Sequence, residues 1–161
     1  MIKVNHLSQY FPLFKDKTVV DIGCNAGVIT ERITKYAKKV YGIEKSKEIL
    51  EEGKRLGLQG DAEYINLPIG EFLKKDYDFN SAYCSNALYY LTNAEITLIK
   101  CKLFPRCDLV MFVSYEPKPD LGNNSYNLGK WTNIESLLKE NNFKTEVKNK
   151  DLKWVTTIGR K

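Results

Sequence analysis

Histidine, paired cysteine and long apolar runs are what this sequence lacks. Of 161 residues only His6 is a histidine, and the four cysteines, Cys24, Cys84, Cys101 and Cys107, form no C-x-x-C pair. Structural zinc takes four nitrogen or sulfur ligands, so no metal site is expected, and the cysteines read as reduced, mostly buried thiols. No run of about 18 apolar residues occurs, which argues against a membrane-spanning helix. The opening Met1-Ile2-Lys3-Val4-Asn5-His6 lacks the apolar stretch of a secretory signal, and a cytoplasmic protein is expected. Repeats and low-complexity tracts are also missing. At this length the chain is expected to form a single domain over residues 1–161, with a core that needs no staples.

Two glycines are missing from a motif that is otherwise half present. Val19-Val20-Asp21-Ile22-Gly23-Cys24-Asn25-Ala26-Gly27 is an apolar run leading into a glycine turn, and Tyr41-Gly42-Ile43-Glu44 is a second run closed by an acid. A strand, a glycine turn, a helix and a second strand make a βαβ unit. Glu44 lies 21 residues after Gly23, near the spacing of about 20 at which an acid grips a ribose in dinucleotide folds. In the G-x-G-x-x-G fingerprint, however, Asn25 holds the second glycine position and Val28 the third. Those glycines admit a pyrophosphate and bring helix against strand. A nicotinamide dinucleotide is therefore disfavoured.

Along the chain, strands and helices alternate from residue 18 to about 115, which predicts an α/β sheet. Ile2 to Phe14 reads as a leading helix with Leu7, Tyr10, Phe11 and Phe14 on one stripe. Strands are expected at Thr18 to Ile22, Val40 to Ile43, Ala62 to Asn66, Tyr77 to Cys84, Leu109 to Ser114, Lys144 to Lys148 and Lys153 to Ile158. The helix after the glycine turn is expected to start near Asn25 and Ala26, leaving their N–H groups open to a ligand carboxylate. Ser46 caps a helix that runs to Leu56, with Gly57 at its end. A short helical turn is expected over Glu71 to Lys75. Thr92 with Glu95, and Thr132 with Glu135, each have the capping-box spacing. The first of these helices should end before Pro105. Tyr115 to Gly129 reads as a loop, and Asn149-Lys150-Asp151 as the turn of the last hairpin.

Asp21-x-Gly23-x-x-x-Gly27 followed by Glu44 resembles class I S-adenosylmethionine-dependent methyltransferases, and the order of elements extends the resemblance over most of the chain. The resemblance implies a Rossmann-like, doubly wound, mostly parallel seven-stranded sheet with an antiparallel C-terminal hairpin strand and helices on both faces. Residues 1–15 would form a leading cap, 18–115 the donor-binding β/α units, and 130–161 the C-terminal helix and hairpin. S-adenosyl-L-methionine is the implied cofactor, contacted by Tyr10, Asp21, Gly23, Cys24, Asn25, Gly27, Glu44, Lys45, Asn66, Leu67, Cys84 and Ser85. Glu44 would hold the ribose, and Asp21 would orient the methionine tail. Backbone carbonyls of Gly23 and of Cys84 or Ser85 would take the ammonium, while Tyr10 and Phe11 close over the donor. For adenine, Asn66-Leu67 is favoured and Asp61 stays open as the alternative.

After the fourth strand stands Ser85-Asn86-Ala87-Leu88-Tyr89-Tyr90-Leu91. It carries neither the Asn/Asp-Pro-Pro-Tyr/Phe of amino-methylating enzymes nor the Pro-Cys pair of cytosine carbon-5 enzymes. It is similar to the same stretch of methyltransferases acting on small molecules and some modified nucleosides, so Tyr89 and Tyr90 are expected to position the acceptor. The ordinary Tyr pKa of about 10 makes either a poor base. Net charge is +5, and residues 141–161 carry Lys144, Lys148, Lys150, Lys153, Arg160 and Lys161 against Glu146 and Asp151. A solvated lysine-rich surface with Trp154 in the core is the favoured reading of that tail, with RNA kept as a partner. The expected function is methyl transfer to oxygen or nitrogen of a small molecule or exposed nucleoside. The alternatives are a donor-binding subunit without catalysis and an RNA methyltransferase.

Overall fold

Short, mostly apolar runs alternate with amphipathic helices along this chain, two of the helices closed at the start by a Ser or Thr side chain. The computed structural model describes residues 7–115, 125–150 and 153–161. Its elements are β1 (Thr18–Ile22), α1 (Val28–Thr34), β2 (Lys39–Ile43), α2 (Lys47–Arg55), β3 (Glu63–Ile65), α3 (Ile69–Phe72), β4 (Ser81–Ser85), α4 (Asn93–Leu98), β5 (Leu109–Tyr115), α5 (Trp131–Glu140), β6 (Lys144–Lys148) and β7 (Trp154–Arg160). The seven strands form one mixed sheet in the order β3-β2-β1-β4-β5-β7-β6. β7 pairs antiparallel with both β5 and β6, as the Rossmann-like reading expects. The chain divides into two compact units, Met1–Ser81 and Ala82–Lys161.

In the first unit β1, β2 and β3 run parallel, with Asp21, Gly42 and Tyr64 in one row. β1 and β2 are buried almost throughout, because helices cover both faces of this part of the sheet. Thr30 of α1 bonds Asp21 on one face, and Phe72 of α3 meets Tyr41 on the other, ring centroids 5.9 Å apart. At the start of α2 the Ser46 hydroxyl accepts from Ile49 N–H at 3.3 Å. Glu48 in the first turn and Lys54 and Arg55 in the last oppose the helix dipole. A Schellman turn ends the helix: Leu58 N–H returns to Gly53 O at 3.0 Å and Gly57 N–H to Lys54 O at 3.1 Å.

Several boundaries moved. The leading segment is a 3-10 helix, Ser8–Phe14, with Pro12 inside it; proline has no N–H for an α-helical bond, and residues 2–6 lie outside the described residues. Leu7, Phe11 and Phe14 are buried, so Phe11 is a core residue. α1 begins at Val28, two to three residues later than the expected start near Asn25 and Ala26. The short turn over Glu71 to Lys75 is instead α3, two residues upstream. β4 begins at Ser81, since the Tyr77 ring stacks on Phe72 at 4.6 Å and meets Tyr41 at 5.2 Å. Aromatic burial outweighs strand extension there. Just ahead of β4, Asn80 Oδ1 accepts from Thr18 N–H at 3.0 Å, and Asn80 N–H donates to Thr18 O at 3.1 Å.

In the second unit the Thr92–Glu95 capping box forms as expected. Glu95 N–H donates to Thr92 Oγ1 at 3.2 Å and Thr92 N–H to Glu95 Oε2 at 2.9 Å. Beyond Leu98 the helix widens into a π-helical turn, Ile99–Leu103, then tightens into a 3-10 turn, Phe104–Arg106. Pro105 supplies no N–H, and the change of hydrogen-bond register carries the chain past it. The second capping box does not form. α5 starts at Trp131, so Thr132 lies inside the first turn. Glu135 accepts instead from the Thr145 hydroxyl of β6 at 3.1 Å and pairs with Lys139 at 2.9 Å. At the end of the β5–β7 ladder, half-buried Trp154 packs on its cross-strand partner Tyr115, centroids 4.7 Å apart. Residues 116–124 of the expected loop and Asp151 of the expected turn lie outside the described residues.

Candidate functional site

Three neighbouring strand ends in the first unit are laced together by hydrogen bonds. Gly23 and Cys24 N–H groups, just past β1, both reach Ile43 O, at 2.9 and 3.0 Å. Glu44 N–H, just past β2, reaches Ile65 O at 3.2 Å. Asn66, just past β3, returns its Nδ2 to the carbonyls of Glu44 and Lys45, each at 3.0 Å. The glycine turn, Glu44 and Asn66 thus occupy one patch, with half-buried Leu67 next in the chain. Asp61 is exposed and lies two residues before β3.

Within that patch the Glu44 carboxylate is held from two sides. Its Oε2 accepts from Asn25 N–H at 3.2 Å, and its Oε1 from Ser46 N–H at 3.0 Å. This corrects the expectation of open N–H groups at Asn25 and Ala26. Asn25 N–H is on Glu44, Ala26 N–H is on Asn25 Oδ1 at 2.7 Å, and Gly27 N–H is on Cys24 O at 3.1 Å. The turn satisfies its own donors because Asn25 adopts a left-handed conformation, φ 54°, which asparagine tolerates better than most residues. Asparagine can therefore stand where the dinucleotide fingerprint has glycine.

Beneath the turn lies a buried polar cluster. Asp21 is 2% exposed and its Oδ2 accepts from the Thr30 hydroxyl at 2.6 Å. Burial pushes its carboxyl from the ordinary 3.8 up to about 7, with the Thr30 bond pulling the other way and the Glu44 charge adding to the rise. Burial, together with the charges of Asp21 and Glu44, likewise raises the Cys24 thiol. Half-buried Tyr64 reaches over from β3 with its hydroxyl 3.4 Å from Gly27 O, and burial foremost pushes that phenol up to about 12.

Tyr64 also changes the meaning of two glycines. A Cβ on Gly27 would sit 2.7 Å from Tyr64 Oη, and one on Gly42 would sit 2.9 Å from Tyr64 Cδ1. Their missing side chains make room for a ring of the same chain. A third close approach comes from α2, where a Cβ on Gly53 would collide with the carbonyl of Ala26. Tyr64, Thr30, Gly42 and Gly53 were given no site role by the sequence. Row-by-row pairing of parallel strands would have set Tyr64 beside Gly42, had the register been known.

In the second unit Cys84 is fully buried within β4 and Ser85 is half-buried at its end. Asn86 N–H then donates to Val113 O at 2.8 Å. Tyr89 is buried and Tyr90 is 52% exposed, their ring centroids 4.0 Å apart. The two tyrosines are therefore unequal: Tyr89 packs in the core and Tyr90 faces outward. Tyr10, in the leading 3-10 helix of the first unit, is half-buried. Cys24, Cys84 and Cys107 are buried and Cys101 is exposed, all as free thiols. Among the described residues no helix is long and apolar enough to cross a membrane, and no group of three or more His, Cys, Asp or Glu is placed to hold a metal ion.

A family model described as a methyltransferase domain matches residues 19–102, just over half of the chain. The chain belongs to the class I S-adenosylmethionine-dependent methyltransferases. The chain is similar to ubiquinone biosynthesis O-methyltransferase of Pasteurella multocida (strain Pm70), 23% identical over 125 residues, covering 70% of this chain and 52% of that protein. It thus spans about half the length of that curated relative. Among solved structures it resembles magnesium protoporphyrin IX methyltransferase from Synechocystis PCC 6803 with bound SAM. The identity is 14%, the TM-score 0.69, and the match covers 99% of this chain and 78% of that one. Ribosomal protein L11 methylase from Lactobacillus delbrueckii subsp. bulgaricus matches at 20% identity and TM-score 0.62, covering 98% of this chain and 80% of that one. The two solved neighbours bear the names of unlike acceptors, and a shared fold does not choose between them. S-adenosylmethionine is the methyl donor of the family.

Proposed function

We propose that this methyltransferase moves a methyl group from S-adenosylmethionine to an oxygen or nitrogen of a small-molecule acceptor, and that the laced strand ends of its first unit hold the donor. The observation that carries the reading is the Glu44 carboxylate, fixed between the N–H groups of Asn25 and Ser46. An ionised carboxylate only accepts hydrogen bonds and has about four lone-pair sites. After two N–H groups it retains capacity for a pair of ribose hydroxyls. Asn66 commits its Nδ2 to the β2 loop, which leaves Oδ1 to accept from the exocyclic amine of adenine, with Leu67 to pack on the ring. With Asn25 and Val28 in place of glycine, the turn suits a single nucleoside carrying an amino-acid tail rather than a dinucleotide.

Asp21 has a different part in this reading. It is almost wholly buried and bonded to Thr30, so it acts on the donor through the turn and α1. When bound, the donor supplies an electrophilic methyl on a sulfonium, and the protein has chiefly to align the acceptor behind it. Tyr90, with its exposed ring, is the residue of the post-β4 stretch suited to touch the acceptor, and Tyr89 supports it from the core. A small-molecule acceptor is favoured by the name of the curated relative and by the lack of a Pro-Pro motif after β4.

Calorimetric titration with S-adenosylmethionine, its demethylated product and NAD tests the donor, and methyl transfer to a panel of phenols, amines and RNA tests the acceptor. Binding of the first two ligands but not NAD, with turnover on a small molecule, is expected. NAD binding would overturn the donor assignment. Donor binding without turnover on any acceptor would favour a non-catalytic subunit, and turnover on RNA alone would replace the acceptor class.

A further inference from the structure

The first unit contains a wedge that the donor reading does not by itself require. Tyr64 stands in the row Asp21, Gly42, Tyr64, directly beneath the row that ends β1, β2 and β3. Its ring crosses β2 above Gly42 and continues to the last residue of the glycine turn. The Cβ positions of Gly42 and Gly27 lie 2.9 Å from Cδ1 and 2.8 Å from Cε1 of the same ring. Its hydroxyl is 3.4 Å from Gly27 O. Gly27 sits at φ 96°, a conformation that other residues adopt only with strain, and it is the cap residue from which α1 starts.

We propose that Tyr64 is a positioning residue for the donor site: its ring, wedged over Gly42 and against Gly27, sets the height of the Cys24–Gly27 turn so that Asn25 N–H meets Glu44 and the turn is shaped before the donor arrives. The inference rests on the donor reading given above. It follows from the packing, because only a flat side chain passes over two Cβ-less positions at these distances, and interiors tolerate little change of volume. α2 presses on the turn elsewhere, at Ala26 opposite Gly53. Without the ring, the turn would lose its support at Gly27, and Asn25 would drift from the Glu44 carboxylate.

The test measures affinity for the demethylated donor by calorimetry, well below each variant's melting temperature, with circular dichroism as a check on folding. Tyr64→Phe keeps the wedge and loses a long hydrogen bond, so its affinity should stay within about threefold of the wild type. Tyr64→Leu, which keeps apolar bulk but not the reach of the ring, should lose about tenfold or more, equivalent to 1.4 kcal/mol or more. Phe72→Leu is the control. Phe72 is fully buried in the same unit and its ring contacts are with Tyr41, Tyr77 and Phe79, so it should lower the melting temperature without changing affinity. If Tyr64→Leu does not fold, Tyr64→Met, which keeps apolar volume without a flat ring and leaves Cys24 untouched, replaces it and should show the same loss. Wild-type binding with Tyr64→Leu no weaker than Phe72→Leu would overturn the positioning role alone. Failure of the wild type to bind would overturn the donor reading and this inference with it.

Discussion

Asp21→Asn is the most direct probe of the buried cluster, because the substitution keeps the shape of the side chain and its bond from Thr30 while removing the titration. Burial raises the Asp21 carboxyl from 3.8 to about 7 in the folded chain, whereas in the unfolded chain it ionises near the ordinary value of about 3.9. Between those limits the unfolded state releases its proton and the folded state keeps it. The stability contribution is therefore complete below about pH 4, falls as pH rises, and levels off above about pH 7. At about 1.36 kcal/mol for each tenfold change in proton affinity, the fall is about 4 kcal/mol. Asparagine has no such fall. Its new Nδ2 adds a fixed cost of about 1–3 kcal/mol if it finds no partner, but that cost does not vary with pH. The quantity to measure is the difference in unfolding free energy between variant and wild type, from urea melts every half unit from pH 4.5 to 8. It should shift in favour of the variant by about 3–4 kcal/mol across that range. Carboxylates held low by ion pairs, such as Glu52, Glu135 and Glu146, are present in both proteins and cancel. Parallel curves would refute the reasoning and place the ionised form of Asp21 in the folded chain at all these pH values.

Other expectations follow from single contacts. Glu44→Ala removes the acceptor shared by Asn25 and Ser46 N–H and should weaken donor binding by about 1.5–3 kcal/mol; unchanged calorimetric affinity would count against the ribose role. Gly53→Ala forces a Cβ against the Ala26 carbonyl, and overpacking of this kind should cost about 1–3 kcal/mol in a urea melt, with donor affinity falling as the turn shifts. Thr92→Ala breaks the capping box at the start of α4 and should cost about 1 kcal/mol of stability, leaving donor affinity unchanged. Tyr90→Ala removes a ring that packs on Tyr89 and should cost about 0.5–1.5 kcal/mol of stability and lower turnover once an acceptor is found; an unaltered rate would remove Tyr90 from the acceptor site.

Legibility in the sequence varied with how local the cause was. β1, β6 and α2 fall within a residue of their expected ends, because β-branched runs, the Ser46 cap and the Gly57 stop act over a few neighbouring residues. The Thr132–Glu135 box has the same local signature and fails, because the Thr145 hydroxyl, ten residues away in the chain, competes for Glu135. Tyr77 was drawn out of β4 by Phe72 and Tyr41, partners that no strand pattern names. Likewise, Glu44 and Asn66 were readable as strand-end residues, but the self-satisfied donors of the turn were not. Those depend on the left-handed backbone of Asn25 and on where the Glu44 side chain lies.

What the sequence determined by itself was the order of strands and helices, the glycine turn and the acid that closes the next strand, since spacing and propensity are properties of nearby residues. Only the tertiary structure decided what those residues touch. Gly27 and Gly42 are small for Tyr64, Gly53 is small for Ala26, and burial pushes the Asp21 carboxyl up to about 7. Each is set by close packing and loss of water between segments far apart in the chain, and neither effect leaves a periodic mark in the sequence.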